Sequence, residues 1–189
     1  SMRKIIVFSN ISLDGLFSGP DGDISWMKTD KDVELAEFAA RNARAGGELL
    51  FGRNTYELMA AYWPTAFARE NDPALAEGMN QRQKIVFSRT LQKAAWNNST
   101  VVKDDMVTTV RTLKGAAGKD MTILGSGSIV AQLAPLGLID EYQIMVVPVV
   151  LGRGRTLFEG VRERLSLKLK STRVFGNGNV LLRYEPAGS

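Results

Sequence analysis

Apolar runs rich in β-branched residues recur along the chain at 4–8 (KIIVF), 48–52 (ELLFG), 84–88 (KIVFS) and 121–125 (MTILG), with segments of helical character between them. Residues 30–45 begin acidic, carry Val33, Leu35, Ala36, Phe38 and Ala39 as an apolar side and end at Gly46-Gly47, which predicts a helix. A second helix is expected from a cap at Asn54 or Thr55 through Tyr56 to about 61, broken by Trp63-Pro64. Val101-Val102 reads as a short strand, and helices follow over 105–114 and from Ser128 or Ile129 to 136, the latter closed by Gly137. Strands alternating with helices imply a mostly parallel central sheet, because parallel neighbours need long crossover connections, with helices on both faces. Three more strands are expected at 141–151, 165–173 and 179–185, and the FGNGN of 175–179 is a good hairpin turn. The sheet therefore acquires an antiparallel C-terminal edge, and its exposed strands suggest a homodimer.

The 189 residues suit one α/β domain over 2–186, since neither a linker nor a repeat interrupts the pattern. No apolar run approaches the roughly 20 residues that a membrane-spanning helix needs. RKIIVF is too short for a secretory signal, so the expected location is cytoplasmic. Cysteine and histidine are both absent, which excludes disulfides, thiol nucleophiles, a Ser-His-Asp triad and a His/Cys zinc site. No metal-loop spacing of carboxylates stands in for them. Proton transfer must use Asp, Glu, Tyr, Lys or water. The net charge of +4 comes from scattered basic residues, which permits an anionic small molecule and argues against nucleic acid as a partner.

Three strand ends could hold such an anion. After 121–124 come Gly125, Ser126, Gly127 and Ser128, then a helix start, so backbone N–H groups and a helix dipole face outward where no Cβ obstructs a phosphate. After 48–51 come Gly52, Arg53 and Thr55, offering a guanidinium and a hydroxyl. After 84–87 come Ser88 and Arg89. Each alone is as well explained by a turn. Three on the carboxyl edge of one parallel sheet form a coherent binding rim, because that edge is where such sheets bind ligands.

The order of these stretches, with SLDG at 12–15 and the block from 122 to 158, resembles the dihydrofolate reductase fold. It is more closely similar to stand-alone relatives of the C-terminal reductase domain of the riboflavin biosynthesis protein RibD, over nearly the whole chain. The resemblance implies a three-layer α/β domain that binds NADPH. It implies that Gly52, Arg53 and Thr55 contact the pyrophosphate and 2′-phosphate, and that Ser88 and Arg89 line the 2′-phosphate site. Gly125, Ser126, Gly127, Ser128 and Ile129 would hold the pyrophosphate and nicotinamide ribose. Asn10, Ser12 and Asp14 would lie where the nicotinamide is held, under a closing loop at 15–25.

On the substrate side the resemblance implies a wall of Trp26, Phe38, Met59, Tyr62 and Trp63, with Arg153 and Arg155 of the LGRGRT loop able to carry an anionic group. Asp30, Asp32 and Glu34 compete for the place of the proton-supporting acid. Asp32 is closest by spacing, and Glu34 has Phe38 one helical turn on. The tyrosine that follows the glycine triplet in that family is replaced by Val130, which argues against a folate. The implied activity is hydride transfer from NADPH to a small pterin- or pyrimidine-like heterocycle or a carbonyl. The alternatives are the 5-amino-6-(5-phosphoribosylamino)uracil reductase of riboflavin synthesis and a non-catalytic nucleotide-binding module.

Overall fold

The computed structural model describes residues 2–23, 25–27, 32–124 and 127–188. An eight-stranded sheet forms its centre. In chain order the strands are β1 (Ile5–Ser12), β3 (Leu49–Gly52), β4 (Lys84–Phe87), β5 (Ser99–Val102), β6 (Met121–Leu124), β7 (Glu141–Val147), β9 (Leu167–Val174) and β10 (Val180–Pro186). Their spatial order is β5-β4-β3-β6-β1-β7-β10-β9. The first six are parallel, while β10 runs antiparallel to both β7 and β9. The expected mostly parallel sheet with an antiparallel C-terminal edge is therefore the observed one, with β5 and β9 as its two outer strands.

Helices cover both faces because neighbouring strand residues point to opposite sides. Leu50, Ile123, Ile5 and Val7 face one way, onto Val110 of α5 (Met106–Gly115) and Ile129, Val130 and Leu133 of α6 (Gly127–Leu133). Leu49, Phe51 and Val86 face the other way, onto Tyr56 of α2 (Arg53–Tyr62) and Met79 of α4 (Pro73–Gln81). Further along that second face Met145 and Leu181 pack on Leu35 of α1 (Val33–Ala45). No helix among the described residues is long and apolar enough to cross a membrane.

Several boundaries differ from expectation for local physical reasons. Helix α1 starts at Val33 because Asp32 caps it, accepting from the Leu35 N–H at 2.9 Å. Helix α2 starts at Arg53 directly off β3, with Gly52 as a cap that offers no side chain, so neither Asn54 nor Thr55 caps it. Residues 66–81 form two helices not foreseen in the sequence, α3 (Ala66–Asn71), capped by Thr65, and α4, opened by Pro73. Strand β7 stops at Val147, before Pro148, whereas the apolar run continues to 151.

The stretch after β1 is more ordered than its glycines suggest. Strand β1 continues to Ser12, and β2 (Leu16–Ser18) pairs antiparallel with β8 (Arg155–Thr156). Gly154 has φ of +151°, and a Cβ there would collide with the Ser18 carbonyl, so only glycine permits this pairing. Asp14 adds a clasp. Its carboxylate accepts from the Leu151 N–H at 3.1 Å, the Gly152 N–H at 2.8 Å and the Ser12 hydroxyl at 2.5 Å.

Candidate active site

A cavity of about 1090 Å³ lies over the sheet face that α1, α2 and α4 cover. At the carboxyl edge, called the mouth below, Asn10, Gly52, Arg53, Asn54, Thr55, Gly127 and Ser128 line it with Arg155 from the β8 strand, and its lining runs on to Arg82 and Asp120 at the amino edge. Phe8, Leu124, Met145, Thr122 and Gln143 floor it. Phe38 of α1 stands on one side, and Met59 and Trp63 on the other.

The mouth suits an anion. Because β3 enters α2 without a side-chain cap, the N–H groups of the first turn are left for solvent or a ligand. Arg53, the first residue of that helix, donates from Nε to Glu57 at 3.0 Å and from Nη1 to Thr90 Oγ1 at 2.8 Å. The second bond joins the ends of β3 and β4. Gly127 has a packing reason as well as a ligand reason to lack a side chain, since a Cβ would come within 3.1 Å of the Leu157 carbonyl.

Of the residues singled out in the sequence, the cavity brings together Asn10, Gly52, Arg53, Thr55, Gly127, Ser128, Phe38, Met59, Trp63 and Arg155. Gly125 and Ser126, like Asp30, lie outside the described residues. Others have different work. Ser88 Oγ accepts from the Thr90 and Leu91 N–H groups and shapes the turn after β4, and Arg89 is exposed beside it. The Ile129 side chain is buried in the core on the opposite face. Ser12 is fully buried and, with Asp14, builds the clasp. The Ser12 hydroxyl and the two backbone N–H groups hold the Asp14 carboxyl down to about 2.

The two described candidate acids, Asp32 and Glu34, lie away from the cavity. Asp32 gives one oxygen to the α1 cap and the other to the Asn177 N–H at 3.0 Å, tying the helix to the β9–β10 hairpin. Glu34 has a 70% exposed side chain, 3.9 Å from Arg173. Neither lines the cavity. Trp26 does not line it either. Its indole N–H donates to the Asp23 carbonyl, while the neighbouring Met27 reaches the wall. Tyr62 stacks edge-on against Trp63 with ring centroids 4.9 Å apart. Arg153 lines a smaller adjoining hollow with Asp21, Gly154 and Arg155.

The cavity also has a polar floor that no local motif marks. Thr122 and Gln143 interrupt apolar strands, and Asn179 enters the cavity from the start of β10, buried and with no hydrogen-bond partner for its Nδ2. The signal was present as a period of two in EYQIMVV, where Glu141, Gln143 and Met145 share one face.

The model of the RibD C-terminal domain matches residues 3–181. The chain belongs to that family. It is 32% identical to the uncharacterized protein YyaP of Bacillus subtilis (strain 168) over 96% of this chain and 94% of that one. A Shewanella sp. PV-4 protein provisionally assigned to riboflavin biosynthesis superposes with a TM-score of 0.75 at 22% identity, covering 98% of this chain and 99% of its own. A diaminohydroxyphosphoribosylaminopyrimidine deaminase/5-amino-6-(5-phosphoribosylamino)uracil reductase of Thermotoga maritima superposes with a TM-score of 0.67 at 14% identity. That match covers 98% of this chain and 57% of the Thermotoga one, so the present chain spans little more than half of the bifunctional protein. These likenesses establish the dihydrofolate reductase-like fold of the RibD reductase domain.

Proposed function

We propose that this RibD C-terminal family member is a reductase that uses NADPH to reduce a small heterocyclic or carbonyl substrate. The observation that carries the reading is the cavity mouth, where an uncapped helix start and Arg53 converge on one edge of an apolar-walled trough. Its volume, about 1090 Å³, lies near the top of the roughly 300–1,000 Å³ of ordinary small-molecule sites. Cofactors of this class supply hydride. This chain's residues do the rest. Arg53 and the first-turn N–H groups of α2 bind phosphate, and the side chains of Phe38 and Met59 exclude water from the floor. The β2–β8 pair roofs the mouth. Neither Asp32 nor Glu34 lines the cavity, and water at that mouth can carry the proton to the substrate.

Thermal melting with each nucleotide tests this reading. A ligand at about 100 times its Kd stabilises by roughly 2.7 kcal/mol, so NADPH is expected to raise the melting temperature by several degrees and NADH by less. No shift with either at millimolar concentration would end the cofactor assignment. Binding without oxidation in the presence of pterins, pyrimidines or aldehydes would instead favour a non-catalytic nucleotide-binding module.

A second reading, the phosphoribosylaminouracil reductase activity named for the Thermotoga protein, draws on the adjoining hollow. A substrate phosphate needs its own seat, and Arg153 and Arg155 line a hollow that opens beside the mouth. NADPH oxidation that requires the substrate phosphate, with a KM that rises in Arg153→Ala, separates this reading from the first.

A further inference from the structure

Strand β7 places Glu141, Gln143 and Met145 on the face that floors the cavity, and the first two form a directed pair. Glu141 is 4% exposed. Its Oε1 accepts from Lys170 Nζ at 2.7 Å and Arg183 Nη2 at 3.1 Å, and its Oε2 from Gln143 Nε2 at 2.6 Å. Burial pushes this carboxyl up, but the bonds from Lys170 and Gln143 and the charge of Arg183 outweigh it and leave it below its ordinary value. It is therefore ionised at neutral pH.

An ionised carboxylate can only accept hydrogen bonds. Glu141 thereby fixes which end of the Gln143 carboxamide it meets. The NH₂ group turns toward Glu141, and Oε1 remains without a donor among the described residues. Gln143 lines the cavity, in register with Phe8 of β1 on one side and Arg183 of β10 on the other. Asn10 pairs with Met145 in the same ladder, so Gln143 lies two residues, about 7 Å, deeper than Asn10. That depth is below the cofactor mouth, where a substrate would sit.

We propose that Gln143 binds substrate by accepting a hydrogen bond at Oε1 from a ring or lactam N–H, and that Glu141 is a positioning residue that holds this carboxamide acceptor-side toward the cavity. This assignment rests on the reductase reading and narrows it to substrates that carry an N–H donor. An N-alkylated analogue loses the bond and leaves a buried acceptor unpaired, which disfavours it.

The test titrates uracil and 1,3-dimethyluracil into the NADPH-saturated protein, with NADPH binding measured on the same preparations. Wild type is expected to prefer uracil by about tenfold, the value of one hydrogen bond of about 1.4 kcal/mol. Gln143→Met removes the acceptor at similar volume and is expected to bring the two ligands within about twofold, with NADPH affinity unchanged. Glu141→Gln is expected to erode the preference as well, since a second carboxamide no longer dictates orientation. A merely structural role for Glu141 would weaken both ligands equally and leave their ratio intact. Equal binding by wild type, a preference retained in Gln143→Met, or no uracil binding at millimolar concentration overturns the proposal. If NADPH binds in any of these cases, the reductase reading survives it. If NADPH does not bind, that reading fails first.

Discussion

The two edges of the sheet use the same cations in opposite ways. At the amino edge Arg3, with a side chain 4% exposed, pairs with Glu48 and donates to the Lys119 carbonyl at 2.8 Å. Lys114 pairs with Asp140 and reaches the Leu138 carbonyl. Arg82 donates to the Gly47 carbonyl at 2.8 Å. At the carboxyl edge the Arg53 and Arg155 side chains are 43% and 65% exposed, and their partners Glu57 and Glu159 lie four residues on. A buried pair broken on one side leaves an uncompensated charge, whereas an exposed pair contributes about 1 kcal/mol or less. The amino-edge cations fasten the chain. Those at the carboxyl edge can exchange their carboxylates for a ligand's phosphate at little cost.

The largest expected effect is therefore at the amino edge. Glu48→Ala leaves Arg3 buried beside carbonyls alone and should lower unfolding stability by about 3 kcal/mol in urea titrations. A loss below about 1 kcal/mol would erase the distinction between the edges. The pH dependence follows the same pair. Burial raises the Glu48 carboxyl, but Arg3 and Arg82 pull it net below its ordinary 4.5. Its contribution is complete above that value and is lost as pH falls through the lowered one.

Lys84, also at the amino edge, sharpens the comparison with an intermediate effect. It is almost fully buried, donates to the Asn80 and Asn97 carbonyls and lies 4.2 Å from the Trp96 ring centroid. Burial first, and then Arg82, lower its ammonium from 10.5 to about 8. Between those values the unfolded chain holds a proton that the folded chain has released, so stability should rise with pH across that window. The gain over the whole window is at most about 3 kcal/mol, as the fall from 10.5 to about 8 implies. In Lys84→Met the rise should flatten when urea midpoints are compared with wild type at each pH; an unchanged slope would show that Lys84 titrates normally despite its burial.

How far the sequence reveals this molecule depends on the range over which each contact acts. Strand ends, the Asp105 cap of α5 and the 175–179 hairpin are local, and they are readable. Helices α3 and α4 carry short-range signals too, in Thr65 and Pro73. The β2–β8 pairing joins residues nearly 140 positions apart through a two-residue strand, and no local pattern announces it. Asp32 is the closest by spacing of the three candidate acids, yet Asn177, distant in sequence, claims its second oxygen. Gln143 is hidden for the converse reason. The polar face that it shares with Glu141 in EYQIMVV reads as a solvent-facing side until a cavity is known to lie over it.

The smallest effect on stability is expected where the functional effect is greatest. Arg53→Ala removes an exposed side chain whose bonds run to Glu57 and Thr90, so its unfolding free energy should stay within about 0.5 kcal/mol of wild type. NADPH affinity should nonetheless fall by about tenfold or more, because a charge-assisted bond to phosphate is worth roughly 1.5–3 kcal/mol. The affinity that remains should also depend less on salt, since one fewer charge is screened. Calorimetric titration at two ionic strengths, beside a urea titration of the same variant, reads both sides of the contrast. Unchanged NADPH affinity would remove Arg53 from the phosphate site. A stability loss above about 1 kcal/mol would make Arg53 a fastener like Arg3 and leave the carboxyl edge no freer than the amino edge.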